Sequence, residues 1–303
     1  MNCPVCNTVL SPALTKMGLG IHPNCEDVLQ RELERRNEEL KNQLLEIIRW
    51  ADDNSERSKQ IAIGPSEIGH DCDQRVARIL AGMPQVNNRF DPWAGIVGTS
   101  IHSWLQMAVD NYLAEHIITI GGVNGPRWVT ETRVSANEFI SGSSDLYTGD
   151  VVDYKSSTAD KIKVMRTKGR EVIAPHYIVQ GHIYGLGNIR AGRKVRDIVL
   201  VFVPRDGLIK NMYLYREPYD ENIAFAAIDR LYRLVDELNA AGLPDGGDWN
   251  KIARNPSGDC WYCPFYVERS AEEGADALGC PGNSKTGEER RAAEIEKFGK
   301  GLI

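Results

Sequence analysis

The chain has 303 residues and carries 36 Lys and Arg against 42 Asp and Glu, a formal net charge of −6, with 42% hydrophobic and 26% charged residues. This is ordinary globular composition on a chain long enough to bury a full core. It excludes wholesale disorder and a uniformly basic nucleic-acid coat, although a local basic surface remains compatible with it. No apolar run approaches the roughly eighteen residues of a spanning helix. MNCPVCNTVL shows no basic region followed by an apolar block, so a cytoplasmic protein without membrane association is expected.

The seven cysteines organise the two ends of the chain. Cys3, Cys6, His22 and Cys25 form a C-x2-C-x15-H-x2-C set, the four soft ligands of a tetrahedral zinc site, in a segment too short to hold a core without a metal. Residues 1–25 are therefore read as a zinc-binding knuckle. Near the other end, Cys260 and Cys263 form a second C-x2-C, and Cys280 follows after sixteen residues. That set needs a fourth ligand, and Cys72 is the only cysteine left. Seven is an odd number for disulfides, and a reducing compartment disfavours them. Buried thiols, a second zinc site and another metal centre are all open on spacing alone.

Residues 26–60 read as a charged helix and a polar linker. Leu29, Leu33, Leu40, Leu44 and Ile47 recur at helical spacing between charges, and DDNSERSKQ follows. The helix either packs on the main domain or forms a short coiled coil, with self-association or a replication or recombination protein as its partner. The main domain is expected over 61–303. Ser66 is the expected cap of a helix with Ile68, Cys72, Val76 and Ile79 on its apolar face, ending at Gly82. Asp91-Pro92 opens a second helix. Strands are predicted at 127–134, 138–147 and 150–157, a helix after Pro175, strands at 197–204 and 211–217, and a long helix near 220–240. The expectation is an α/β fold with a mixed central sheet flanked by helices.

In DVVDYKSS, alternation puts Asp153 and Lys155 on one face of a strand. Such a pair is costly in a core without partners or a metal. GSSDL places Asp145 at the end of the preceding strand, and hairpin pairing brings it toward Asp153. Two carboxylates sharing a site repel unless a cation separates them, and hard oxygen donors suit Mg²⁺ or Mn²⁺. His102 ends G-T-S-I-H on the second helix, with Gly98 one turn before it. Glu131 lies on the first strand. Gln180 and Tyr184 sit one helical turn apart. Each of these residues taken alone is also an ordinary structural residue.

In this order, Cys72, the G-T-S-I-H ending at His102, Glu131, the G-S-S-D ending at Asp145, D-Y-K at 153–155, Q-x3-Y at 180–184 and the final cysteines resemble the RecB-like branch of the PD-(D/E)XK nucleases. More closely, they resemble its iron–sulfur exonucleases of the AddB and CRISPR-associated RecB-like type, common in phages. The resemblance covers about residues 64–282. It implies a restriction-endonuclease-like core and a [4Fe–4S] cluster held by Cys72, Cys260, Cys263 and Cys280. It also implies a metal-dependent DNA exonuclease of phage or bacterial replication, recombination or repair. The phage case would place it in the host cytoplasm. By this reading His102, Asp145, Asp153 and the Tyr154 carbonyl hold Mg²⁺ or Mn²⁺, and Lys155 orients the attacking water. Glu131 aids the metal, and Gln180 and Tyr184 contact DNA or brace Lys155. Two features depart from the family pattern: Asp153 stands where many relatives carry Glu, and the gap before Cys280 is long. Lys161, Lys163, Arg166, Lys168 and Arg170 form a basic run suited to tracking phosphates, or simply a solvated loop. The competing reading is a non-catalytic DNA-binding or adaptor protein on a nuclease scaffold.

Overall fold

A computed structural model describes residues 6–16, 23–54, 63–87, 91–116, 119–120, 123–124, 128–254, 260, 262–267, 279–282 and 296. The chain divides into two compact units, Met1–Lys59 and Gln60–Ile303. The first holds α1 (Pro12–Lys16) and the 31-residue α2 (Pro23–Asp53). Ion pairs at i,i+3 and i,i+4 support α2: Arg35 reaches Glu32 and Glu39, and Lys41 reaches Glu38.

The second unit begins with α3 (Pro65–Ile68), α4 (Asp73–Leu80) and α5 (Trp93–Glu115), and with a two-stranded pair of β1 (Thr119–Ile120) and β2 (Val123–Asn124). The main sheet follows with β3 (Val129–Ser135), β4 (Ser141–Tyr147) and β5 (Val151–Ser157). Next come α6 (Ala159–Lys168), α7 (Pro175–Arg190), β6 (Asp197–Pro204), β7 (Tyr213–Pro218) and α8 (Glu221–Ala241). The five strands lie in chain order; β5 and β6 are parallel and the other three pairings antiparallel. A parallel neighbour requires a crossover, and α6 and α7 supply it. This is the mixed sheet with flanking helices that the sequence leads one to expect. Among the described residues, no helix is long and apolar enough to cross a membrane.

Helices cover both faces of the sheet, and the strands record this. Six consecutive residues of β6, Ile198 to Val203, are buried, whereas edge strand β7 alternates. On one face, Ile101, Leu105 and Val109 of α5 pack against Leu146, Val152, Tyr154 and Val199. On the other, Ile162, Met165, Ile178 and Tyr184 of α6 and α7 pack against Val151, Ile198, Leu200 and Phe202. Consequently Val151, Asp153 and Lys155 of β5 face α7, and Val152 and Tyr154 face α5. A third apolar layer joins α3, α4, α7 and α8 through Ile68, Val76, Ile183, Leu231 and Leu234.

The structure corrects two expectations. The single helix expected from Ser66 to Gly82 is two helices broken at Gly69–Cys72; Ser66 lies inside α3, whose N-cap is Gly64, and Cys72 is the N-cap of α4. The basic run from Lys161 to Lys168 lies on helix α6, capped by Thr158, whose side chain accepts from the Lys161 amide, and Arg170 follows in a short turn. Gly98 makes room for the sheet: a Cβ there would meet Ser156 Oγ at 3.3 Å.

Helix α7 approaches the sheet through glycines. A Cβ at Gly181 would fall 2.9 Å from Ile198 Cδ1, and one at Gly187 would fall 2.9 Å from Val134 Cβ. Val134 is β-branched and strand-bound, so it has little room to yield. Gly187→Val is therefore expected to cost about 1–3 kcal/mol through overpacking, read as a lower urea midpoint at unchanged slope.

Candidate functional site

The β4–β5 ladder holds only two registered pairs, Leu146–Val152 and Tyr147–Val151. Beyond them the strands part, because the Asp145 carboxylate enters the gap. Its Oδ2 accepts from the Tyr154 amide at 2.6 Å, a donor that a regular ladder would give to a backbone carbonyl. The parting forms a fork open to helices on both sides of the sheet. From α5, His102 Nδ1 comes within 3.3 Å of Asp145 Oδ1, and its ring meets the Tyr154 ring edge-on at 5.9 Å. On the α7 side stand Asp153 and Lys155, with Lys155 Nζ 2.6 Å from Asp153 Oδ2 and 2.8 Å from Gln180 Oε1. Gln180 Nε2 in turn donates to Tyr184 Oη at 3.4 Å.

The fork therefore gathers His102, Asp145, Asp153, Lys155, Gln180, Tyr184 and the Tyr154 backbone. Glu131 stands at its edge. It falls between the registered pairs Thr130–Leu146 and Thr132–Ser144, at the level of Asp145, and among the described residues is the one strand residue with a left-handed backbone, φ 44°. A non-glycine side chain held there costs backbone energy and is a common mark of functional sites. Beside it, Thr130 Oγ1 donates to Asp110 Oδ1 at 2.6 Å, tying β3 to α5.

Sequence reading missed Tyr177. Lys155 Nζ lies 4.7 Å from the centre of its ring, a cation–π contact. Tyr177, Gln180 and Tyr184 follow i, i+3, i+7 spacing, the signal that would have found it. His176 beside it is sandwiched against His70, with ring centres 4.6 Å apart at 10°. Burial first, then the His70 and Lys155 charges, depress the His176 imidazole to about 3, so this ring is neutral packing.

The ionisable groups of the fork share one electrostatic bias. Burial pushes Asp153 up to about 6; Lys155 opposes this and Asp145 adds to it. Burial, then Asp145, raises Glu131. Tyr154 is pushed up to about 12 by burial, with Asp145 and Glu131 contributing, and Tyr184 is raised, chiefly by burial. His102 is raised because its hydrogen bond and charge pairing with Asp145 outweigh its desolvation. Asp153 and Glu131 shift toward neutrality and His102 toward its cation, the signature of excess negative charge in a low-dielectric place. Asp153 Oδ2 is buried, and the Lys155 ammonium 2.6 Å away is its partner within the fold. The carboxylate oxygens and the charge surplus fit a hard cation. Among the described residues, no group of three or more His, Cys, Asp and Glu is drawn together closely enough to hold a metal ion. Asp145 and Asp153 lean instead on the Tyr154 amide, His102 and Lys155.

A second cluster lies beneath α4. Cys72, Cys260, Cys263 and Cys280 line one cavity with His70, Arg75 and Arg78; its empty space, counting solvent at the mouth, is about 390 Å³. Local pairing brings three of the cysteines there. The Cys263 amide donates to the Cys260 carbonyl at 3.0 Å, and the Cys280 amide donates to the Phe265 carbonyl at 2.7 Å. Arg78 is 1% exposed, stacks over Trp249 at 4.1 Å and donates to the Gly279 carbonyl at 2.9 Å. Burial pushes the Cys263 thiol up to about 11 and also raises Cys280, while Arg75 pulls on the first and Arg254 and Arg78 on the second.

Of the N-terminal set, Cys3 and His22 lie outside the described residues; Cys6 is exposed, with Sγ 2.8 Å from Thr8 Oγ1, and Cys25 is half-buried. In the basic run, Lys163 and Lys168 are exposed on α6. Arg166 donates to the Asn211 carbonyl at 2.9 Å, and Arg170 pairs with Glu217, so both have partners within the fold.

No protein-family model matches this chain, and no curated protein matches it. Among solved structures, LHK-Exo in complex with dAMP is similar at 16% identity and a TM-score of 0.41, over 60% of this chain and 90% of that one. A second structure, an alkaline exonuclease (LHK-Exo) from Laribacter hongkongensis, is similar at 16% identity and a TM-score of 0.41, over 61% and 91% of the two chains.

Proposed function

We propose that the protein is a metal-dependent deoxyribonuclease of the PD-(D/E)XK type that hydrolyses DNA phosphodiesters from an end, with the β4–β5 fork as its active centre. The observation that carries this reading is the meeting of Asp145, Asp153 and Lys155 at the parted strands, with His102 from one side and Gln180 from the other. Asp145, Asp153, His102 and the Tyr154 carbonyl would hold Mg²⁺ or Mn²⁺, and Glu131 would help place it. When bound, such a cation stabilises charge on the phosphoryl group and makes a water more acidic. The protein's own groups do the rest. Lys155 presents its ammonium to the attacking water and the phosphate oxygens. Gln180 fixes that ammonium through its carbonyl, Tyr184 fixes Gln180, and Tyr177 supports the charge with its ring. His102 sets the angle of the Asp145 carboxylate. Lys161, Lys163 and Lys168 of α6, which follows directly on β5, are candidates to meet the DNA backbone, with Arg166 and Arg170 beside them.

The four-cysteine cavity is read as the seat of a [4Fe–4S] cluster ligated by Cys72, Cys260, Cys263 and Cys280. Its support is that the four cysteines line one cavity with Arg75 and the buried Arg78, whose charges favour the thiolate form that metal ligation requires, against the burial that raises Cys263 and Cys280. Cys3, Cys6, His22 and Cys25 are read as a zinc site on their spacing alone.

End-labelled single- and double-stranded DNA, incubated with purified protein, should be degraded with Mg²⁺ or Mn²⁺ and left intact in EDTA. Intact DNA under every metal condition, from a folded protein, would remove the nuclease reading. Anaerobic purification followed by iron, sulfide and zinc analysis separates the cluster from a second zinc site.

A further inference from the structure

Seven large apolar side chains of α2 stand exposed, from Leu45 at 39% to Trp50 at 66%. Among its described side chains none is buried, so this 31-residue helix shows no packed face of the kind that ordinarily stabilises helices in proteins, and each of its described ion pairs contributes only tenths of a kcal/mol. Its sequence runs in heptads. Leu33, Leu40 and Ile47 occupy d positions, while Asn37, Leu44 and Ala51 occupy a positions. Leu33, Leu40, Leu44 and Ile47 are 43%, 56%, 50% and 60% exposed, so the seam is open along its length.

We infer that α2 pairs with α2 of a second copy of this chain in an antiparallel coiled coil, an inference independent of the nuclease reading. Charge decides both the occupant and its direction. In an antiparallel pair overlapping over the whole helix, Leu33 faces Leu44 of the second copy, and Asn37 faces Leu40. The e position Glu34 then faces Lys41 of the second copy. Two-fold symmetry repeats each contact, so a single helix supplies both halves of every pairing, as a self-complementary surface must. In the parallel alternative, Arg36 at a g position faces Lys41 of the second copy, a repulsion repeated twice. Within its own helix, Glu34 accepts from Gln30 at 2.9 Å, and Lys41 pairs with Glu38 at 3.1 Å. Both contacts are exposed and exchange for the intermolecular pair at little cost.

Sedimentation of the full chain over a concentration series tests this. The wild type should pass from monomer to dimer as concentration rises, and Leu40→Glu with Leu44→Glu should abolish the dimer without changing the circular dichroism of the larger unit. Glu34→Lys and Lys41→Glu should each weaken dimerisation roughly three- to tenfold, and the double exchange should restore it. All four positions are exposed, so these variants leave the fold intact. A wild type that stays monomeric at every concentration would overturn the inference, as it would if α2 lay back on its own chain. A Lys41→Glu variant that dimerises more tightly would overturn the antiparallel arrangement in favour of the parallel one.

Discussion

Lys155→Ala is expected to lower the rate of DNA hydrolysis by about 100-fold or more, because it removes an ammonium that the fold itself holds in the fork. The ammonium is held from three directions, by Asp153 at 2.6 Å, Gln180 at 2.8 Å and the Tyr177 ring at 4.7 Å, a preorganisation that a mobile surface lysine lacks. Asp153→Asn should have a comparable effect on turnover and the opposite effect on stability. Asp153 is 2% exposed, and burial pushes it up to about 6 from an ordinary 3.8, so the folded chain binds that proton more tightly than the unfolded chain does. The stability this group contributes is fully present below about 3.8 and is lost as pH rises through about 6. An amide does not ionise and escapes that loss. The variant should therefore match the wild type near pH 4 and exceed it above pH 6, by on the order of 1–3 kcal/mol. Urea unfolding at several pH values, beside single-turnover digestion rates, reads both effects. A variant that loses stability at neutral pH would mean that the Asp153–Lys155 pair is a net support of the fold rather than a strained functional pair.

The two acids and the lysine were legible in the sequence because strand alternation is a rigid rule: once β5 is a strand, Asp153 and Lys155 share a face. The hairpin then brings Asp145 near. The parting of the strands was not legible. It depends on a carboxylate taking the Tyr154 amide in competition with a backbone carbonyl, and no periodicity encodes that competition. The left-handed backbone at Glu131 was hidden for the same reason, since nothing in VTETRV announces it. Helix α6 went unseen because only Ile162 and Met165 of its ten residues are buried, too narrow a stripe against four basic side chains. The break between α3 and α4 was masked by an apolar spacing that runs on across it. The turn at Gly69 exists to meet α7: a Cβ there would lie 2.9 Å from both His176 Cα and Val179 Cβ. Long-range packing of this kind lies beyond any local window of sequence.

That turn connects the cysteine cavity to the proposed active centre. His70 lines the cavity, stacks on His176, and is followed two residues later by Cys72; Tyr177, next to His176, carries the Lys155 ammonium on its ring. Bonds among the described residues join the segment bearing the other three cysteines to the rest of the unit. Val86 and Asn87 donate from their amides to the Pro264 carbonyl, Asn87 Nδ2 donates to the Cys263 carbonyl, and Arg78 donates to the Gly279 carbonyl. For a metal or cluster centre binding energy is folding energy, so a bound centre would hold this segment against the rest of the unit. Cys263→Ala is accordingly expected to lose iron and sulfide, to expose the residues after Pro264 to protease, and to lower DNA turnover by up to about 100-fold, because displacement of a positioning residue by an ångström is enough for that. All catalytic side chains are intact in this variant, so a fall in rate would report on the seam through His70, His176 and Tyr177. His176→Ala should reproduce part of the fall while keeping iron and sulfide, which separates loss of the seam from loss of the cluster. Full activity in a Cys263→Ala protein proven free of iron and zinc would show that the fork and the cysteine cavity are independent, and the coupling argued here would have to be given up.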